Sequence, residues 1–302
     1  MTIPSRIPCE RVVRIGGENG VLGIATDPAT IGVGGHGSAS MEPVVVFLNA
    51  GVLHRVGPNR LHVSLARRLS VCGFGSLRLD LSGIGDSRGV PGELTFRESA
   101  VADTRGAMDE LQRSLGVGKF VLFGLCSGAE NALATADVDP RVAGLVLVNP
   151  PAYPNLRSRI RFIGIRLRKF DSVASGLTWA AVKAVVRGRR ALLLHLARRI
   201  GTEPGKSDDE PAGRIAPPKG EYRALLSRLA NRGVHVLAAY SADNRERYNT
   251  RNQLFEVFPE LRGRVDVAFY ANSNHVFTPL DQQEALMRRV STWLIDHFPR
   301  SA

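Results

Sequence analysis

Cysteine is scarce in this chain, and the scarcity excludes two common frameworks. Among 302 residues there are three, Cys9, Cys72 and Cys126, too few and too scattered for a disulfide scaffold. None stands in a C-x-x-C spacing, so neither a zinc ribbon nor a dithiol redox motif is written here, and no metal or other cofactor is expected. A reducing compartment is the simplest reading. Also missing are an apolar run approaching the ~20 residues of a bilayer span and, in Met1 to Arg6, the apolar stretch of a secretory signal. The expectation is a soluble, cytoplasmic protein.

Acid is nearly missing from one segment. Between Arg157 and Arg199 twelve Lys and Arg are opposed by Asp171 alone, so this stretch accounts for almost all of the formal net charge of +12. It has few aromatics and no recognisable nucleic-acid motif, which argues against DNA or RNA as partner. What fits instead is an acidic carrier protein, an anionic membrane surface, or simply cap helices that hold their arginines in water.

What is present is 44% hydrophobic residues, enough for a substantial core, arranged as strand and helix in alternation. Residues 10–15 and 22–26 read as an antiparallel hairpin at a sheet edge, followed by a glycine-rich loop. Buried strands are expected at 44–48, 76–80, 119–123, 142–148, 235–240 and 265–270, and helices at 61–72, 96–115, 221–231 and 281–297. After Pro150-Pro151 the alternation stops. Helical spacing of Leu156, Ile160, Ile163 and Leu167, and again from Val182 to Ile200, predicts two or three helices, and 201–220 reads as a linker. The simplest parse is an α/β core over 1–152 and 220–302, interrupted by a basic helical cap at 153–219.

The run Gly124-Leu125-Cys126-Ser127-Gly128 sits where the 119–123 strand turns into a helix. A nucleophile elbow needs small residues two before and two after the reactive side chain, because strand and helix approach too closely for a Cβ. Cys126 meets that rule. Ser127 would put Leu125 in a glycine position, so the register selects the cysteine.

A thiol needs a base, and the base needs an orienting partner. His275 follows the last expected strand, and Asp243 follows the strand before it, both at carboxyl ends of strands like Cys126. Glu246, Asp80 and Asp86 are rival acids. An oxyanion site is expected from the Ser127 amide and from the loop after the 44–48 strand, at Val52 first and Gly51 second. Leu125 and His54 are candidate substrate contacts.

These residues, together with the segment from Leu77 to Ser87, resemble the α/β-hydrolase superfamily over nearly the whole chain. Cysteine at the elbow is similar to dienelactone hydrolases and polyhydroxyalkanoate synthases. Gly51 to Arg60 with Gly124-Leu125-Cys126 resembles the hydrolases associated with exosortase A systems. The resemblance implies acyl or ester chemistry on a small-molecule or carrier-bound substrate: hydrolysis through an acyl-thioester, or transfer or cyclisation with another acceptor. A noncatalytic binding module on the same fold is the alternative. Two departures stand out, Asn49-Ala50-Gly51 where the family has His-Gly, and the basicity of the insertion.

Overall fold

The computed structural model describes residues 8–16, 20–29, 43–89, 94–170 (of 166–170, the backbone), 216–243 and 247–299. Eight strands form one sheet in the order β1-β2-β4-β3-β5-β6-β7-β8. The hairpin of β1 (Glu10–Ile15) and β2 (Val21–Thr26) is antiparallel and lies at the edge, with β2 also antiparallel to β4 (Ser76–Asp80). From β4 onward every neighbour is parallel: β3 (Val44–Phe47), β5 (Phe120–Leu125), β6 (Val142–Val148), β7 (His235–Ser241) and β8 (Asp266–Tyr270).

The alternation of side chains along each strand feeds two cores. In β5, Phe120 and Leu122 join the core under α2 (Phe96–Leu115), α3 (Ser127–Val138) and α5 (Lys219–Asn231). Val121, Phe123 and Leu125 point the other way, into the core under α1 (Leu61–Val71) and α7 (Leu280–His297). The helix α2 starts where a capping box writes it: the Glu98 amide donates to Thr95 Oγ1, and the Thr95 amide donates to the Glu98 carboxylate.

Chain order and strand order disagree at one place. The chain runs from β3 outward to β4, then back past β3 to β5, so the connections leaving β3 and β5 diverge to opposite faces. Crevices that hold ligands in open α/β sheets form at such reversals, at the carboxyl ends of the strands. That is where Cys126 emerges.

The observed elements match the expected ones to within a residue or two. A short α6 (Gln253–Val257) was not foreseen, since five residues carry too little periodicity to register. The helix α4 (Leu156–Phe170) opens the basic segment. Its root is pinned to the core: Tyr153 Oη donates to the Pro217 carbonyl at 2.6 Å, and Arg161 forks onto Glu256 at 3.0 and 3.1 Å. The helix expected over Val182 to Ile200, the glycine-rich loop and most of the 201–220 linker lie outside the described residues. Among the described residues no helix is long and apolar enough to cross a membrane.

Candidate active site

The turn between β5 and α3 leaves little freedom. Cys126 has φ 58° and ψ −120°, a region that costs a non-glycine residue of order 1–3 kcal/mol and persists only where its surroundings impose it. The glycines impose it. A Cβ on Gly124 would overlap the Gly128 carbonyl, and one on Gly128 would lie 2.6 Å from the Asn49 oxygen. The Cys126 amide donates to Val148 O at 2.9 Å, which ties the elbow to β6. Ser127, next in line, is the first residue of α3, and its hydroxyl accepts the Gly51 amide at 2.8 Å. That bond clips the β3 loop to the elbow and gives the serine a structural task.

It also corrects one expectation. The Gly51 amide is spent on Ser127 Oγ and is not available to a substrate oxyanion, whereas the Val52 amide has no hydrogen-bond partner among the described residues. The Ser127 amide, at the open N-terminus of α3, has none either. Two backbone donors therefore remain unpaired among the described residues, one in the loop after β3 and one at the start of α3.

The loop is held from beneath by buried charge. Asp80, fully buried at the end of β4, accepts the Arg55 amide at 2.5 Å, the Arg55 guanidinium, Asn49 Nδ2 at 3.2 Å and the Asp86 amide at 3.2 Å. Asn49, also buried, donates to the Leu53 carbonyl at 2.8 Å and accepts the Leu81 amide at 2.8 Å. Asp80 is thus committed to the loop and withdrawn as a triad acid. Asp86 is exposed and paired with Arg55 at 2.6 Å, and Glu246 lies outside the described residues. Arg55 carried no sequence signal, because its partner stands 25 residues away on another strand.

The two expected substrate contacts fare differently. Leu125 is buried in the core with Phe47 and Phe123, so its side chain faces away from the crevice, as the alternation along β5 demands. This corrects its assignment. His54 is exposed on the loop, its Nδ1 accepting the Val56 amide at 3.3 Å.

Directly under the loop, His62 of α1 is fully buried against Phe47 and Phe123, with ring centroids 5.5 and 5.4 Å away. Burial, helped by the charge of Arg78, pushes its pKa from 6.5 down to about 3. The neutral ring is therefore favoured in the fold, and its contribution is complete above pH 6.5 and lost as the pH falls toward 3. At pH 5 the cost is about 2 kcal/mol relative to pH 8. Urea midpoints of the His62→Phe variant should fall less between those two pH values than the wild type's; equal falls would refute it.

His275 and Asp243 leave neighbouring strands. The Ala242 amide donates to Tyr270 O at 3.0 Å, so the two loops start side by side. His275, half-buried, is held by Phe277 two residues on, which is fully buried at φ 54° against Tyr270. Asn59, from the loop after β3, donates to Val276 O at 3.4 Å, bringing that loop and the His275 loop together. Asp243 is exposed and makes no hydrogen bond to another described residue. Cys126, Val52, Ser127, His275 and Asp243 all lie beyond the carboxyl ends of parallel strands, and Asp243 is the exposed member at the rim.

A strained elbow at the reversal point of a mostly parallel sheet, with a histidine beyond the last strand, defines an α/β-hydrolase. The chain belongs to the serine aminopeptidase, S33, family, whose model matches residues 46–203, just over half of its length. That match covers the elbow and the loop after β3 and stops short of Asp243 and His275. Solved structures agree on the fold. An esterase of Pyrococcus furiosus is 15% identical over 97% of this chain and 91% of its own, with a TM-score of 0.55. An esterase from Thermogutta terrifontis is 19% identical over 96% of this chain and 99% of its own, at 0.51. A proline iminopeptidase of Mycobacterium smegmatis is 14% identical over 96% of this chain and 98% of its own, at 0.53. No curated protein matches the chain in sequence.

Proposed function

We propose that this protein is an ester- or thioester-cleaving hydrolase that uses Cys126 as nucleophile where its family is named for serine. The observation that carries the proposal is the backbone of Cys126, held at φ 58° by glycines 124 and 128 in the position an elbow gives to its nucleophile. His275, oriented by Asp243, takes the thiol proton, and the thiolate attacks the carbonyl carbon of the substrate. The oxyanion is received by the Ser127 and Val52 amides, each such donor contributing about 3 kcal/mol to the transition state. The tetrahedral adduct collapses to an acyl-thioester, and the leaving group departs with the proton from His275. Water, deprotonated by His275, then attacks the thioester, releases the acid and restores the thiol.

Because a thioester is a reactive acyl donor, an acceptor other than water would turn the same site into an acyltransferase or cyclase. The basic insertion supports a carrier-bound substrate, since an acidic carrier would meet complementary charge there; an anionic membrane is its rival. Salt-sensitive capture of an acyl carrier protein, set against flotation with anionic liposomes, separates the two.

Intact-mass measurement across esters, acyl-thioesters and carrier-bound acyl groups tests the chemistry. We expect an acyl adduct mapping to Cys126. Turnover with the adduct on Ser127 would overturn the assignment, and absence of both adduct and turnover across the panel would favour a binding module.

A further inference from the structure

We propose that Asn149, at the end of β6, is a positioning residue that sets the place of His275 relative to Cys126; the inference rests on the cysteine–histidine reading above. Asn149 has φ 50°, is only 8% exposed, and spends every part of its backbone turn and side chain on the strands around the site. Its own amide donates to Ala239 O at 2.7 Å. Its Oδ1 accepts the Ser241 amide at 2.8 Å, at the end of the strand that leads to Asp243. Its Nδ2 donates to the carbonyl of His275 itself at 2.8 Å. The preceding residue, Val148, accepts the Cys126 amide at 2.9 Å. Val148 and Asn149, adjacent at the end of β6, thus link the backbone of the nucleophile, the strand of the acid and the peptide plane of the base.

The chemistry of the side chain suits the task. A carboxamide both accepts and donates from one short fork, whereas a carboxylate cannot donate and an alkyl group does neither. Asparagine also tolerates the left-handed backbone better than other non-glycine residues. The loop it holds needs support, because Ala271 and Asn272 are exposed and its inner contacts come from Ser273 and Phe277. Freed from Asn149, the His275 peptide can drift by about an ångström, a displacement that costs roughly a hundredfold in an oriented reaction. Asn149 itself reaches no substrate atom in this scheme.

The test follows the thiol rather than a substrate. The rate of Cys126 alkylation by iodoacetamide, read by peptide mass between pH 4 and pH 9, reports thiolate formation. In the wild type, coupling to His275 should give a midpoint below the ~8.5 of a free thiol. The His275→Ala variant should return to the free value. Asn149→Asp keeps the acceptor for Ser241 and loses the donor to His275; Asn149→Gly keeps the backbone turn and loses both bonds. Both variants, checked for folding by circular dichroism, should move the alkylation midpoint toward that of His275→Ala and slow ester turnover by about 10- to 100-fold. A merely structural loss would lower the melting temperature and leave the midpoint in place. Folded Asn149 variants with the wild-type midpoint overturn this inference and leave the triad intact. A wild type whose profile equals that of His275→Ala overturns the triad, and with it the role of Asn149.

Discussion

Replacing Cys126 by alanine should lower ester turnover by at least ~1,000-fold, to the residual rate that binding and oxyanion contacts alone support. The loss is large because the attacking atom is gone, whereas the fold is expected to survive: alanine is smaller, and the elbow is imposed by Gly124, Gly128 and the bond from the Cys126 amide to Val148, none of which involves the thiol. Ser127→Ala should behave in the opposite way. It removes the acceptor of the Gly51 amide, a loss of about 1 kcal/mol in stability, and leaves turnover within about tenfold of wild type. The pair of variants decides between the two neighbouring hydroxyl and thiol groups in a family named for serine. If Ser127→Ala were inactive and Cys126→Ala active, the nucleophile would be the serine and the mechanism proposed here would be wrong.

The second large effect is on stability. Asp80→Ala should cost about 3–5 kcal/mol, because it empties the buried acceptor shared by the Arg55 and Asp86 amides and Asn49 Nδ2 and leaves the Arg55 guanidinium only the exposed Asp86 as ion partner. The cost reaches the site by a short path: Asn49 and Arg55 flank the loop that presents the Val52 amide, and Asn49 also holds Leu53 O. Denaturant midpoints and turnover should therefore fall together. Removing the half-compensated charge as well, in Asp80→Ala with Arg55→Met, should recover part of the stability, since much of the expense lies in a largely buried guanidinium that has lost its buried partner and keeps only the exposed Asp86. A double variant less stable than the wild type by the full sum of the two single losses would contradict that account.

The place of the elbow is legible without coordinates, because Gly124 and Gly128 bracket the residue that takes the strained backbone. His275 and Asp243 are expected from their place after strands, a pattern of period and order, and each stands beyond the strand that leads to it. What is not legible shares a cause. Leu125 was misplaced because its membership of β5 beyond Phe123, and hence its face, is settled by pairing with Val148 on β6. Gly51 was misplaced because its amide finds a partner 76 residues away. Asn149 carries no local signal, since its two decisive bonds reach Ser241 and His275, 92 and 126 residues on.

By itself the sequence determined the elements and the place of the elbow, because periodicity, caps and steric exclusion operate between near neighbours. Only the tertiary structure decided which strands lie side by side, and through that which loop amides stay unpaired, which acid is consumed by Arg55, and which asparagine holds the His275 carbonyl. Such bonds form between groups brought together by the sheet, and no local pattern encodes a partner that the strand order has yet to supply.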